Sequence, residues 1–463
     1  MADIVLTNPA TGAELDCRDY DPPDRVEAAL AGLEHTFGAW RRQSPEQRAA
    51  ALAGAADRLE TESEAAAAEI TATMGKPVTQ ARGEVEKCVG LLRYYAEHTP
   101  QLVRPQVVGS EARQSEVRLQ PLGVVLGIMP WNYPLWQVVR WAVPTLAAGN
   151  VCLLKHADNV QPSARRIASV MAAAGEAAGV GPVLASVCCD VETTGDLIDD
   201  RRVRGVSLTG SERAGRSVAA RAGAAVKPSL LELGGSDAAV VLPGCDLDRH
   251  LDTLVTARFQ NTGQTCIAAK RYLVHRDIEN DFRERFVHAA MELTVGDPAD
   301  GATRLGPLAR ADLRDTLHEQ VEQTVVEGAR LLIGGQRLEL DGELHGGFFY
   351  EPTVLDQVQP GMTPFREELF GPAASIIVGR DDSELLAMAN AVDYGLSATV
   401  WTDDLDRAAP FVDGLQAGAV FVNQLAKSDW RLPFGGMKNS GYGRELGGRG
   451  VEAFANLKTV WIA

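Results

Sequence analysis

A cysteine and a glutamate in glycine-bearing surroundings are the residues of this chain best suited to covalent chemistry. Cys266 ends the run Phe259-Gln-Asn-Thr-Gly-Gln-Thr-Cys266, and Glu232 lies 34 positions earlier (266 − 232), beside Gly234-Gly235. Cysteine attacks as its thiolate, and a carboxylate can take a proton from a thiol or a water. The pair predicts attack of sulfur on a carbonyl carbon, followed by base-assisted hydrolysis of the thioester.

An asparagine in a rigid turn is a candidate oxyanion donor. Asn132 lies in Pro130-Trp-Asn-Tyr-Pro134, after the apolar run Leu122–Met129. Its side-chain N–H can stabilise charge on a carbonyl oxygen, and asparagine is equally common in turns for its local hydrogen bonding. The motif by itself leaves both interpretations open.

Gly210, Ser211 and Gly215 lie where a predicted strand gives way to a predicted helix, in Leu208-Thr-Gly-Ser-Glu-Arg-Ala-Gly215. A helix N-terminus offers free N–H groups and a positive dipole end, which suits a pyrophosphate. Ser211 is also a common type of helix N-cap, and the chain contains no intact G-x-G-x-x-G, so the signal is weak by itself.

Two further loops carry groups that can bind a nucleotide. Lys155 and Asp158 follow a predicted strand and can both hydrogen-bond a ribose, since ligands bind at the carboxyl ends of parallel strands. Glu368 and Phe370 lie in Glu367-Glu-Leu-Phe-Gly-Pro372. Taken singly, the first segment also fits a surface turn and the second a helix end or loop.

The elements that must position these residues alternate between strands and helices. Strands are predicted at Leu122–Met129, Asn150–Lys155, Ser186–Cys189, Gly205–Thr209 and Asp237–Leu242. Helices are predicted over Leu135–Ala148, Ser163–Ala178 and Arg213–Arg221. Such alternation indicates βαβ units in a doubly wound parallel sheet, hence an α/β fold. Residues 24–100 read as helices, 102–121 as a hairpin, and 243–435 as a second α/β region.

Length and charge exclude several classes of protein. A chain of 463 residues exceeds the size of one hydrophobic core, so two or three domains are expected. The net charge of −17 disfavours nucleic acid and anionic membranes as partners, because both repel an acidic chain. We expect no signal peptide and no transmembrane helix.

The cysteines suggest a reducing compartment. Seven are scattered without a C-x-x-C pair or a nearby histidine cluster, so neither disulfides nor a metal site is expected, and the predicted location is the cytoplasm. The six other than Cys266 are expected to be buried apolar fillers.

Together, the motifs resemble the aldehyde dehydrogenase superfamily over essentially the whole chain. Matching segments are Pro130–Pro134, Leu208–Ser211, Leu231–Gly235, Gly263–Cys266, Glu368–Pro372 and Pro433-Phe-Gly-Gly-Met-Lys-Asn-Ser-Gly-Tyr-Gly-Arg-Glu445. The short N-terminus, residues 259–271 and Ser428-Asp-Trp-Arg431 look like the short bacterial succinate-semialdehyde dehydrogenases.

This resemblance implies a domain plan and an assembly. A Rossmann-type NAD(P)-binding domain would span 1–101 and 122–233, and an α/β catalytic domain 234–440. Residues 102–121 and 441–463 would form a hairpin arm and a C-terminal strand for oligomerisation, as a homodimer or homotetramer.

The resemblance also implies roles for individual residues. Cys266 would attack the aldehyde, the Asn132 amide and the Cys266 backbone N–H would hold the oxyanion, and Glu232 would activate the hydrolytic water. Members that acylate coenzyme A lack such a glutamate, so a free acid is expected as product. The residues implied in cofactor binding are Trp131, Lys155, Asp158, Gly210, Ser211, Gly215, Glu232, Leu233, Glu368 and Phe370.

Cofactor and substrate follow from the same resemblance. The carboxylate of Asp158 would repel the 2′-phosphate of NADP. NAD is therefore the expected cofactor, with NADP as the alternative. Arg140 lies eight positions after Asn132, and it is expected to bind substrate together with Trp136, Ser428 and Arg431. Succinate semialdehyde is the predicted aldehyde.

Two observations keep other interpretations open. Gln260 stands where some succinate-semialdehyde enzymes have arginine, and Trp136 and Trp430 can line an apolar pocket. A broad-specificity enzyme for aliphatic, aromatic or amino aldehydes is the alternative. Arg140 also fits a salt bridge on a helix surface.

Overall fold

A six-stranded sheet carries the predicted nucleotide-binding loops. The computed structural model describes residues 4–463. The sheet order is Gly441–Tyr442, Ser229–Glu232, Val203–Thr209, Val124–Met129, Val151–His156 and Leu184–Val187. All neighbours run parallel except Gly441–Tyr442, which pairs antiparallel with Ser229–Glu232. The chain enters at the central strand and winds outwards in both directions, which is the doubly wound order.

A seven-stranded sheet forms the second α/β unit. Its order is Arg330–Ile333, Thr353–Asp356, Ala373–Gly379, Ala269–His275, Asp237–Val241, Ser397–Trp401 and Ala419–Val422. Only the Arg330–Ile333 edge is antiparallel to its neighbour. One prediction was wrong here, since Asp237–Val241 does not complete the first sheet. It pairs instead with Ala269–His275 and Ser397–Trp401, partners that lie later in the chain.

Helices flank both sheets. Around the first sheet they span Pro23–Trp40, Pro45–Thr61, Ser63–Met74, Val78–Leu102, Trp136–Ala147, Gln161–Ala177, Val191–Asp199 and Glu212–Ala224. The later helices span Leu247–Phe259, Glu279–Met291, Ala311–Val326, Thr363–Arg366, Asp382–Asn390, Leu405–Gly414 and Gly447–Glu452. Short 3₁₀ turns occur at Asp158–Val160, Gln260–Gly263 and Gly342–Leu344. The predicted α/β class is confirmed. Across residues 4–463, no helix is long and apolar enough to cross a membrane.

Three strands form a separate sheet in the predicted arm region. Gln114–Pro121 pairs with Gln106–Val107 on one side and with Ala455–Ile462 on the other. Further two-stranded ribbons pair Ile4–Thr7 with Glu14–Arg18, Arg337–Leu338 with Phe349–Tyr350, and Tyr394–Gly395 with Met437–Lys438. Within residues 441–463, only Ala455–Ile462 belongs to the arm sheet, because Gly441–Tyr442 joins the six-stranded sheet.

The helix Trp136–Ala147 is buried along its whole length and lies directly behind the Asn132 turn. A Cβ at Gly127 would lie 2.3 Å from Trp141, so glycine lets this helix pack closely on the central strand. Glu84 accepts hydrogen bonds from the N–H groups of Leu135 (2.9 Å) and Trp136 (3.0 Å) at the helix N-terminus, where a carboxylate is favoured. Lys76 forms a fully buried ion pair with Glu84, which fixes the turn in place.

The cysteines are all free, but they are not all fillers. Cys88, Cys152, Cys188 and Cys189 are buried as expected, whereas Cys17 is exposed and Cys245 half-buried. Cys17 lies on the strand Glu14–Arg18, whose residues are almost all exposed, so the prediction was wrong for this residue.

Candidate active site

The loop that carries Cys266 has a strained backbone. After the helix Leu247–Phe259 ends, three consecutive residues have positive φ: Asn261 (55°), Thr262 (53°) and Gly263 (71°). The left-handed conformation costs a non-glycine residue about 1–2 kcal/mol. Glycine is required at 263, because a Cβ there would lie 2.3 Å from the Gly371 carbonyl oxygen.

Buried hydrogen bonds hold the loop in this conformation. The Asn261 side chain donates to the carbonyls of Asn132 (2.8 Å) and Gln264 (3.1 Å), and its backbone N–H donates to Gln80 (2.6 Å). The Thr262 hydroxyl donates to the Gly306 carbonyl at 3.2 Å. Strain held by surrounding contacts is a common property of functional loops. Cys266, at the end of this loop, lines a cavity of about 430 Å³.

The Cys266 thiol is protonated in this state. Burial raises the pKa of Cys266 to about 11, while the nearby cations Arg140 and Lys270 act in the opposite direction. The attacking thiolate therefore has to form in a step of its own, through a base or through a charge that arrives with a ligand.

Asn132 lies beside the nucleophile loop, as the sequence motif predicted. Its side-chain nitrogen donates to the Gln264 carbonyl at 3.1 Å, and its side-chain oxygen is buried without a partner. The amide is thus bonded to Gln264, which precedes Cys266 by two residues, and a side-chain N–H in this place is suited to stabilise charge on a carbonyl oxygen.

Glu232 is a buried carboxylate with neither oxygen hydrogen-bonded by the residues described. Burial, the largest effect, raises the pKa of Glu232 to about 8; Arg140 lowers it and Glu445 raises it further. Unsatisfied buried carboxylate oxygens are rare and mark a place where a water or substrate group can bind. Glu232 is therefore suited to bind and deprotonate a water.

Arg140, a predicted substrate residue, is already paired inside the protein. Its guanidinium forms an ion pair with Glu445, lies 4.0 Å from Glu232, and donates to the Thr209 hydroxyl at 3.3 Å. It also stacks over Phe434 at 4.5 Å, and only 2% of its side chain is exposed. Arg140 touches the cavity wall, but its charge is directed to the two glutamates.

The predicted cofactor residues converge on the switch point of the six-stranded sheet. Trp131 follows the central strand, and Gly210 and Ser211 follow the neighbouring strand Val203–Thr209, where the strand order reverses. Crevices at such points bind dinucleotides in open α/β sheets. Ser211 caps the helix Glu212–Ala224 by accepting from the Ala214 N–H at 3.3 Å. A Cβ at Gly215 would lie 2.6 Å from Leu233, so glycine lets this helix approach the sheet.

The second pair of cofactor residues lies at the end of the strand Val151–His156. Lys155 donates to Asp158 at 3.1 Å, and the Tyr20 hydroxyl donates to the other oxygen of Asp158 at 3.1 Å. His156, between them, is buried against the carbonyls of Met129 (3.2 Å) and Pro134 (2.7 Å). Burial lowers the pKa of His156 to about 4, so this residue is a neutral link between the two loops.

Glu368 and Phe370 reach the same crevice from the seven-stranded unit. Glu368 accepts from Lys270 at 2.9 Å and from the Gly235 N–H at 3.2 Å. Phe370 meets Trp131 edge to face at 5.7 Å. Sequence reasoning missed Lys270, which also donates to the Thr265 carbonyl (2.9 Å). A lone lysine in a strand carried no local signal of these contacts.

These residues fit a dinucleotide. Ser211 and the Lys155–Asp158 pair follow strands of the six-stranded sheet, Phe370 packs on Trp131, and Glu368 binds Lys270, which donates to the carbonyl of Thr265 beside Cys266. NAD(P) would be held by Ser211 at its phosphates and by Asp158 and Glu368 at its riboses, and the bound cofactor supplies a hydride acceptor.

A cavity of about 430 Å³ opens over Cys266. Trp136 and Ser428, both predicted substrate residues, belong to its wall. Arg431 does not, because its exposed guanidinium is bound to Asp429 at 2.5 Å. Sequence reasoning missed Lys87, one of the lysines of this wall, which lies in the helix Val78–Leu102 far from every recognised motif.

The fold is that of an α/β protein with a doubly wound sheet, and its site brings a buried thiol, Cys266, close to a buried carboxylate, Glu232. The model of the aldehyde dehydrogenase family matches residues 2–460. The chain belongs to this family, which confirms the predicted resemblance and the predicted class, an NAD(P)-dependent oxidoreductase acting on aldehydes.

Individual relatives narrow the comparison. The chain is 46% identical to the succinate semialdehyde dehydrogenase [NAD(P)+] Sad of Escherichia coli (strain K12), over 99% of this chain and 97% of that protein. It is 44% identical to succinate-semialdehyde dehydrogenase [NADP(+)] 1 of Mycobacterium bovis (strain BCG / Pasteur), over 99% of this chain and 100% of that protein. A crystal structure of succinic semialdehyde dehydrogenase from Streptococcus pyogenes with NADP+ superposes with a TM-score of 0.94, at 31% identity and 99% coverage of both chains.

Proposed function

We propose that this enzyme oxidises succinate semialdehyde to succinate with NAD or NADP. The observation that carries the proposal is the cavity in which Cys266 shares one wall with cationic and hydroxyl side chains, beside the unpartnered Glu232 carboxylate. Relatives at 44–46% identity over nearly the whole chain are named for this aldehyde. A carboxylate substrate needs positive charge or hydrogen-bond donors in the wall, and this wall offers both.

The chemistry follows from the side chains in place. The Cys266 sulfur adds to the aldehyde carbon as its thiol proton leaves, and the Asn132 amide and the Cys266 N–H hold the oxyanion of the thiohemiacetal. Bound NAD(P) would supply the acceptor for the hydride of this carbon, and loss of that hydride leaves a thioester on Cys266. Glu232 removes a proton from a water, which attacks the thioester and releases the acid and the thiol. In sum, aldehyde, water and NAD(P)+ give carboxylate, NAD(P)H and two protons.

Broad specificity is the second candidate function. Trp136, Phe259, Ile267, Leu425 and Phe434 give the same cavity a largely apolar wall, which suits uncharged aldehydes. The two candidate functions differ in whether the enzyme recognises the distal carboxylate of the substrate.

Initial rates of NADH and NADPH formation with succinate semialdehyde, butanal and benzaldehyde separate these candidates. Carboxylate recognition predicts a kcat/KM at least about 100-fold higher for succinate semialdehyde, which corresponds to roughly 2.7 kcal/mol of discrimination. Similar values for all three aldehydes would establish the broad-specificity enzyme instead.

Use of both cofactors is proposed from the surroundings of Asp158. The carboxylate disfavours a 2′-phosphate, but Lys155 and Tyr20 both bind it and so reduce its repulsion. Lys155 can itself attract a phosphate. Relatives named for NAD(P)+ and for NADP(+) support this dual use.

Assembly through the arm sheet is proposed from its exposed apolar side chains. Val107 (78% exposed), Leu457 (58%) and Trp461 (52%) lie on the paired strands of the arm. Clustered apolar exposure of this kind marks a protein interface. The proposed homodimer or homotetramer would appear directly in a light-scattering mass.

The seven free cysteines support the proposed cytoplasmic location, where thiols stay reduced.

A further inference from the structure

The cavity over Cys266 is lined by cations whose charges are used very differently, and among them Lys76 and Arg140 are buried while Lys87 is half-buried. Lys76 pairs with Glu84, and Arg140 pairs with Glu445, so both are neutralised by glutamates of the protein itself. Lys87 also belongs to the wall. Among residues 4–463, no carboxylate lies within ion-pair distance of it.

The surroundings of Lys87 hold its ammonium at a defined place in the wall. Its nitrogen donates to the Ser428 hydroxyl at 2.8 Å and lies 4.1 Å from the centre of the Trp136 ring. An ammonium has three donors, so this single hydrogen bond leaves two for a ligand. The Trp136 face stabilises the cation without neutralising its charge.

Every charged neighbour of Lys87 is bound elsewhere. On its own helix, Glu84 accepts from Lys76 and from two backbone N–H groups. Asp429, in the loop after Ser428, is held by Arg431 at 2.5 Å. Arg140, from the facing helix, repels it, and the Cys88 thiol is neutral because burial raises its pKa well above its usual value. Burial first, then Arg140, lowers the pKa of Lys87 to about 8.

We propose that Lys87, together with the Ser428 hydroxyl it binds, recognises the distal carboxylate of the aldehyde substrate. The inference rests on the proposed function and deepens it, since it assigns substrate choice to this lysine and not to Arg140 or Arg431. A carboxylate in the cavity would be the first anionic partner of Lys87. Charge-assisted hydrogen bonds formed away from water are among the stronger polar contacts, which makes such a site selective for ω-carboxylate aldehydes.

The test is the ratio of kcat/KM for succinate semialdehyde to that for butanal, measured in each variant. The ratio cancels differences in the amount of folded enzyme. Lys87→Met keeps the unbranched side chain and removes the charge, and we expect the ratio to fall by about tenfold to a hundredfold. Lys87→Arg retains a cation and should recover part of the ratio.

Lys458→Met is the control, because Lys458 is an exposed lysine on the strand Ala455–Ile462, outside the cavity wall. A solvent-screened charge contributes little, so its ratio should change by less than about threefold. The wild-type ratio should also fall as the pH rises through about 8, where free Lys87 loses its proton. The Lys87→Arg variant should show no such fall of the ratio near this pH, because arginine keeps its proton there.

Two results would overturn the inference and are distinct from each other. A high wild-type ratio that survives in Lys87→Met, with both substrates slowed alike, would show that Lys87 is only structural. A wild-type ratio near one would overturn the proposed function itself, and the role of Lys87 with it.

Discussion

The Arg140 guanidinium lies 4.0 Å from the Glu232 carboxylate and is ion-paired with Glu445 on another edge. One guanidinium thus interacts electrostatically with two buried glutamates. Because burial and the second negative charge both favour the neutral acid, the pKa of Glu232 rises far above that of a free carboxyl. A general base is most effective when its pKa is near the working pH, so this arrangement suits the hydrolytic step.

Glu232→Gln should slow thioester hydrolysis far more than thioester formation. The amide retains the shape of the side chain but cannot accept the water proton. We expect a pre-steady-state burst of NADH close to one per active site, followed by a steady state slower by about 100-fold or more. Stopped-flow absorbance measures both phases. Loss of the burst together with the steady state would show that Glu232 acts earlier.

The hydrolytic rate of the wild type should rise with pH through about 8, where Glu232 loses its proton. The folded state holds that proton between the ordinary carboxyl pKa and about 8, so this residue's contribution to stability falls as pH rises through that window. A single-turnover pH profile of deacylation checks the direction. A rate that falls over this range would contradict the assignment.

Arg140→Met and Glu445→Gln should shift this profile in opposite directions. Loss of the cation raises the pKa of Glu232 and moves the rising limb to higher pH, while loss of the second carboxylate lowers it. Glu452→Gln is the control, since Glu452 forms an exposed pair with Arg449. Shifts of the same sign in both variants would show that the two residues act through structure and not through charge.

Cys266→Ala should abolish oxidation of every aldehyde while the melting temperature and nucleotide binding stay close to wild type. The hydrogen bonds that hold the loop come from the side chains of Asn261 and Thr262. Cys17→Ala, at an exposed position, is the control and should be fully active. Activity and thermal unfolding are measured in parallel, and turnover by Cys266→Ala would refute the covalent mechanism.

Asp158→Ala should raise kcat/KM for NADP relative to NAD. The change removes a carboxylate and frees Lys155 for the 2′-phosphate. Because Asp158 is 39% exposed, solvent screening limits the effect, and we expect a shift of about three- to tenfold. Asp196→Ala, at an exposed pair with Arg221, should leave the ratio unchanged. An unchanged ratio in Asp158→Ala would remove this residue from cofactor selection.

Gly263→Ala should destabilise the enzyme and impair it. A Cβ would meet the Gly371 carbonyl at 2.3 Å, and the positive φ adds about 1–2 kcal/mol of strain for alanine. Gly54→Ala is the matched control, because a Cβ at this helical site meets nothing within 4 Å and should stabilise by about 0.5–1 kcal/mol. The melting temperature should fall in Gly263→Ala and rise in Gly54→Ala. Equal changes of melting temperature in the two variants would refute the steric account.

The sequence by itself determined the class of fold, most strand positions, and the choice of Cys266 as the proposed nucleophile. These features are local, since hydrophobic periodicity, turn residues and short motifs are readable within a few positions. Ser211 illustrates this, because its helix cap is visible in the sequence and present in the structure.

Only the tertiary structure decided which charges of the cavity are paired within the protein and which are not. Arg140 looked like a substrate residue by its spacing from Asn132, but its partner Glu445 comes from the far end of the chain. Lys87 carried no motif, and its place in the cavity depends on how the helix Val78–Leu102 packs beside Trp136 and Ser428. Burial and long-range pairing set the charge state of such groups, and neither is encoded within a short stretch of sequence.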